Sequence, residues 1–149
     1  LFLVIQSKRA RPVQYAVSSG KDSSNWSSRN MAVLGTILFF FLIVHLKSFW
    51  YEMHFGEMPY QDLADGTKIK DLYLITTSAF QNPFYTFFYV FCMVALSLHL
   101  KHGVESAIQT VGLKISSYET FFKYGAILIA FSIPAVFASI PIYIFLSSL

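Results

Sequence analysis

Charge is what this sequence has least of: Asp, Glu, Lys and Arg make up only 13% of its 149 residues, against roughly 25% in soluble globular domains. So little charge cannot clothe a water-facing surface. A disordered chain is excluded too, because 55% of the residues are hydrophobic and the mean hydropathy is +0.53. A single cysteine, Cys92, rules out an internal disulfide framework and any multi-cysteine zinc or iron–sulfur site, and leaves the redox compartment open. Basic clustering is missing as well. The net charge is +3, yet the 11 Lys and Arg are scattered between apolar stretches and form no face for nucleic acid. Neither an internal repeat nor a secretory leader pattern is found.

What the chain has in quantity is long apolar runs. The hydrocarbon core of a bilayer is about 30 Å thick and needs roughly 20 apolar residues to cross, and three segments qualify. The first runs from about Met31 to Tyr51, interrupted only by His45 and Lys47 and ending in an aromatic belt of Trp50 and Tyr51. The second opens on Asn82 and Pro83, a capping residue followed by a proline suited to a first helical turn. The third runs from near Thr120 to the C-terminus with Pro134 and Pro141 inside it, where kinks rather than breaks are expected. The predicted fold is an all-α transmembrane bundle.

Orientation follows from Lys and Arg. Residues 6–29 hold Lys8, Arg9, Arg11, Lys21 and Arg29, and residues 101–123 hold Lys101, Lys114 and Lys123. Segment 47–82 carries Lys47, Lys68 and Lys70 against the acids Glu52, Glu57, Asp62, Asp65 and Asp71. The positive-inside rule makes the first and third connections cytoplasmic and the acidic one external, with the C-terminus outside. The run Leu72 to Phe80 is too short to span and reads as an interfacial helix. Leu1 to Ile5 reads as the inner end of a further span, so the chain is expected to be the C-terminal part of a longer protein. Ser18 to Ser28 is a solvated loop, in which the sequon Asn25-Trp26-Ser27 is empty on the cytoplasmic side. The expected layout is therefore one membrane domain: 1–5 end of a span, 6–29 loop, 30–52 span, 53–82 outer connection, 83–104 span, 105–119 loop and 120–148 span.

Ionisable groups within a span are costly and mark function by default. Of the four histidines, His54 falls in the outer connection, whereas His45, His99 and His102 need an account. At 1.5 Å per residue, His45 lies about 24 Å from the inner surface, counted from Arg29. His99 lies about 24 Å from the outer surface, counted from Pro83 on a helix running the other way. The two imidazoles therefore sit well over 10 Å apart in depth and cannot share one metal. If both are ligands they serve two stacked centres, each needing a second ligand from elsewhere. Zinc suits isolated imidazoles poorly, while haem takes axial imidazoles from facing helices. Around His99 the residues Cys92, Ala95, Gly103 and Ser106 are small enough for a flat ring to approach, or for two helices to pack. The face around His45 is bulkier: Leu38, Phe41, Leu42 and Phe49, with only Ser48 small. A proton relay or a hydrogen-bonded packing histidine is the alternative for either residue.

The stretch His99 to Leu113 (HLKHGVESAIQTVGL), with Ser28-Arg29-Asn30-Met31 ahead of Gly35 and His45 and with Lys8 to Val17, resembles the cytochrome b membrane subunit of succinate dehydrogenases and fumarate reductases. The likeness is to its fused, single-chain, di-haem form in Bacteroidetes-like bacteria. That family has five spans, the first four each supplying a haem-ligating histidine, which would make the spans here the third, fourth and fifth. The resemblance implies that His45 ligates the outer haem b and His99 the inner one, one axial ligand each. His99 is preferred over His102 because of its His-x-x-x-Gly spacing to Gly103. Arg29 and Lys123 are candidates for haem propionates, although anchoring at the inner surface accounts for both; Ser28 and Arg29 are weak candidates for a quinone site. The implied partners are a flavoprotein subunit, an iron–sulfur subunit, membrane lipid and a quinone, menaquinone being the species expected, in a bacterial cytoplasmic membrane. The implied role is electron transfer and anchoring, with no bond chemistry on succinate. The alternatives are a transporter or channel subunit using its histidines as proton relays, or a haem-free anchor for the same soluble enzyme.

Overall fold

The computed structural model describes residues 5–6, 9–10, 26–112 and 119–149. Most of the apolar stub, the segment 11–25 and the segment 113–118 lie outside these residues, and with them Lys8, Lys21, Lys114 and most of the first basic loop.

Three long apolar helices carry the fold, as expected, each long and apolar enough to cross a membrane; the chain is a multi-pass membrane protein. A single turn, α1 (Trp26–Arg29), leads into α2 (Met31–His45). The helix then continues without a break through a π-helical stretch, Leu46–Tyr51, and α3 (Glu52–Phe55), making one rod from Met31 to Phe55. Lys47 and Glu52 pair at 3.0 Å along it. A hairpin follows, β1 (Tyr60–Asp62) against β2 (Lys68–Lys70), with Gln61 opposite Ile69. Its loop is closed by the Thr67 amide donating to Asp65 Oδ1 at 2.9 Å and by Gly66 at φ +81°, a conformation that favours glycine. Lys70 Nζ donates to the Met53 carbonyl and ties the hairpin back to α3.

Helix α4 (Leu72–Phe80) is capped by Asp71, whose Oδ1 accepts from the Leu74 amide at 2.8 Å. Helix α5 (Pro83–Thr110) starts where the sequence signals it: Asn82 accepts from the Phe84 and Tyr85 amides, with Pro83 in the first turn. It stops at Val111 and Gly112, the latter at φ +76°, the left-handed residue that commonly closes a helix. Helix α6 (Glu119–Ser147) passes through both prolines and stays helical.

Helix α5 is the centre, packing against α6 along much of its length and against α2 on another side. The buried residues of α6 are Ala126, Ala130, Pro134 and Pro141, spaced by four, four and seven residues, which keeps them on one helix face. Small or flat side chains let two backbones approach, and in lipid, where the hydrophobic force between helices vanishes, such close packing is what holds them. On α5 the buried residues include Cys92, Ala95 and Ser97. The small-residue face expected beside His99 is therefore divided. Cys92 and Ala95 are consumed by helix packing, at 0% and 4% exposure, whereas Gly103 and Ser106 are exposed. Helix α2 buries only Leu34 and presents Val33, Phe39, Phe40 and Ile43 outward, which costs nothing against lipid tails as apolar as themselves.

Candidate functional site

Two contacts set the register between α2 and α5. A methyl group placed on Gly35 would lie 3.8 Å from His99 Cε1, and the Tyr89 hydroxyl lies 3.3 Å from His45 Nδ1. The helices are thus antiparallel, and a step of ten residues along one answers ten residues back along the other. His45 and His99 are held at levels about 15 Å apart by the helical rise, beyond the reach of a single metal ion. The sequence arithmetic, which places each about 24 Å from opposite surfaces of a 30 Å layer, gives about 18 Å.

His45 sits in an aromatic nest. Phe41, one turn earlier, stacks on it with centroids 5.6 Å apart and 28° between planes; Phe49, one turn later, lies at 5.3 Å and Tyr89 at 6.0 Å. Tyr89 in turn meets Phe41 and Phe80 edge-on at 5.1 and 4.9 Å. Its hydroxyl is 2.9 Å from that of Tyr85, so a chain of three polar atoms runs from the first turns of α5 to the imidazole. The π-helical stretch begins at the residue after His45. Such widened turns are uncommon and concentrate at functional positions.

Beside His45 opens a cleft of about 520 Å³ between four helices. Each contributes one stripe: Phe41, His45 and Phe49; Leu72, Thr76 and Phe80; Tyr89, Met93 and Leu96; Phe137, Ile140 and Pro141. Helix α4 roofs it because α4 and α5 are joined by a tight corner, where the buried Thr86 hydroxyl donates to the Phe80 carbonyl at 2.7 Å.

His99 is different. Its Nδ1 is buried with no hydrogen-bond partner among the described residues. Since leaving a polar nitrogen unsatisfied in an apolar site costs about 1–3 kcal/mol, such an atom asks for an explanation. The glycine against its ring is Gly35; around Gly103, the glycine picked out by spacing, a Cβ would meet nothing within 4 Å among the described residues. His102, three residues on, is half-buried. Arg29 is exposed at the end of α1, and Lys123 is exposed in the first turns of α6. His54 Nδ1 donates to the Trp50 carbonyl at 2.8 Å and its ring lies tilted against Trp50 with centroids 4.7 Å apart, so it serves its own helix.

The hydroxyls of Tyr85 and Tyr89 were missed by sequence reasoning, which counted both residues as part of an apolar span. Their four-residue spacing, one helical turn, was the available signal. Among the described residues no three of His, Cys, Asp and Glu gather into a cage for a metal. What the site offers is single imidazoles at two levels, each in apolar surroundings. Compared with protein-family models, curated proteins and solved structures, the chain finds no match in any of the three. The chemistry of the site has to speak for its function.

Proposed function

We propose that this chain is part of the membrane cytochrome b of a succinate:quinone oxidoreductase, in which His45 and His99 would each hold one of two b haems. The observation that carries the reading is the pair of imidazoles on antiparallel helices, about 15 Å apart in depth, each with a nitrogen that its helix leaves unused.

The residues present fit the group. A metal-bound imidazole commonly gives its second ring nitrogen a hydrogen-bond partner; His45 has Tyr89 on Nδ1, which leaves Nε2 for a ligand bond. His99 faces Gly35, where a methyl group would lie 3.8 Å from its Cε1, and its buried Nδ1 has no partner among the described residues. When bound, haem supplies a one-electron iron couple. The chain's own residues orient the imidazoles: Phe41 and Phe49 pack on the ring of His45, which is otherwise exposed toward the cleft. Each haem would need a further ligand from residues outside those described.

In this reading, His99 and His45 would hold the two haems through which electrons pass between an iron–sulfur subunit, paired with a flavoprotein acting on succinate or fumarate, and a quinone, menaquinone being expected. The basic connections face the cytoplasm of a bacterium and carry the docking surface for the soluble subunits. Moving a unit charge between the two levels works with or against about 2.3 kcal/mol per 100 mV across the full membrane, so the relay feels the membrane potential. The rival reading, a proton-relaying transporter subunit, draws on the Tyr85, Tyr89 and His45 chain. A reduced-minus-oxidised absorption spectrum of the protein in its native membrane decides between them. Bands of b-type haem are expected, and their absence would sink the cytochrome reading.

A further inference from the structure

We infer that Tyr89 is a positioning residue for His45, backed by Tyr85, and that this hydroxyl pair sets the electron-donating strength of the outer imidazole. The inference rests on the function proposed above and assigns the outer site a support that the inner one lacks among the described residues.

Tyr89 is only 6% exposed, and a phenol so deeply placed needs a partner for its hydroxyl. It has two, Tyr85 Oη at 2.9 Å and His45 Nδ1 at 3.3 Å. Its ring is wedged edge-on between Phe41 and Phe80, so the hydroxyl is held in place rather than free to swing. Phe41 also stacks on His45. One side chain thus fixes both members of the pair, and the ring planes of donor and acceptor are set together.

The direction of the hydrogen bonds follows from one condition. With Nε2 bonded to a metal, Nδ1 would keep its proton and donate to Tyr89 Oη, and Tyr89 would then donate to Tyr85 Oη. Each hydroxyl that accepts from the imidazole side makes the imidazole a stronger donor to the metal, and an outer partner on a ligating histidine typically matters 10–100-fold in affinity or activity when lost. His99 gives the contrast within the same chain, since its Nδ1 is buried without such a partner among the described residues.

The test is a potentiometric titration with low-temperature electron paramagnetic resonance on the assembled protein in native membranes, comparing the unsubstituted protein with Tyr89→Phe and Tyr85→Phe. Tyr89→Phe should retain both haems, move the midpoint potential of the outer one upward with a change in its resonance signature, and leave the inner one in place. Tyr85→Phe, which leaves the contact with His45 intact, should give a smaller shift of the same sign. An unmoved potential and signature in Tyr89→Phe would overturn the inference. Should Tyr89→Phe fail to assemble, Tyr85→Phe decides alone, a shift upholding the inference and no shift overturning it. Absence of b-type bands in the unsubstituted protein would be a different failure, that of the cytochrome reading itself.

Discussion

Gly35 provides a sharp test of how α2 and α5 meet. A methyl group at this position would lie 3.8 Å from His99 Cε1, which is ordinary van der Waals distance, so Gly35→Ala should fit. It removes backbone freedom from a helix interior, a gain of about 0.8–1 kcal/mol on the helix-propensity scale. Gly35→Leu is another matter. A further carbon directed at the ring, one bond length or about 1.5 Å on, leaves roughly 2.3 Å where carbon atoms need about 3.5–4.0 Å. Either His99 or the helix must shift, and overpacking of this kind costs about 1–3 kcal/mol. Gly103→Leu is the control, because a Cβ there meets nothing within 4 Å among the described residues and the propensity gain from Gly to Leu cancels between the two variants. Thermal unfolding in detergent, followed by helical circular dichroism, should place Gly35→Ala at or above the parent and Gly35→Leu below Gly103→Leu by about 1–3 kcal/mol. Equal stability of the two leucine variants would refute the antiparallel register, and with it the separation of the two imidazoles.

Three further outcomes are expected. His45→Ala and His99→Ala should each remove mainly one haem, the outer and the inner in turn, seen as loss of one component in the reduced-minus-oxidised spectrum; loss of both from either variant would mean that the ligands are shared. Thr86→Val strips the donor from the Phe80 carbonyl and should cost about 1–3 kcal/mol in thermal unfolding, as a buried acceptor is left unsatisfied, while Thr86→Ser should recover most of it. In the hairpin, the Thr67 amide holds the Asp65 carboxyl below its ordinary value. Its contribution to the turn is thus fully present above the ordinary aspartate range and is lost as pH falls through the lowered value. Protection of the Thr67 amide from hydrogen exchange should fall in that acid window, and Asp65→Asn should abolish the pH dependence.

The three spans were legible because a bilayer leaves the chain few choices. With no water to satisfy the backbone, a long apolar run has to be a helix, and the Asn82-Pro83 pair marks where one begins because the cap and the fixed proline angle act locally. The levels of His45 and His99 were legible for the same reason, as a fixed rise per residue converts sequence number into depth. The hairpin had a signal in Asp65-Gly66, a turn-forming pair, followed by the alternation Lys68-Ile69-Lys70. Strands of three residues, however, fall below the length at which a period of two stands out from chance. The π-helical stretch had none, since its composition is that of the α-helix around it.

What could not be read was the choice of neighbours across the helix pair. Spacing along one helix made Gly103 the natural companion of His99, because residues four apart share a face. The residue that touches the ring is Gly35, sixty-four positions away. Which residues meet across an interface depends on the axial offset between two helices, and at the His45 end the Thr86 and Phe80 corner lodges α4 over the cleft and places Phe80 against Phe49 and Tyr89. Tyr89 is the hinge of the same argument. In the sequence it is one aromatic among many; in the folded chain, the corner that seats Phe80 fixes Tyr89, and Tyr89 fixes His45. The surroundings of His45 are thereby set in part by a turn of chain before α5, the part of the sequence that looked least concerned with it.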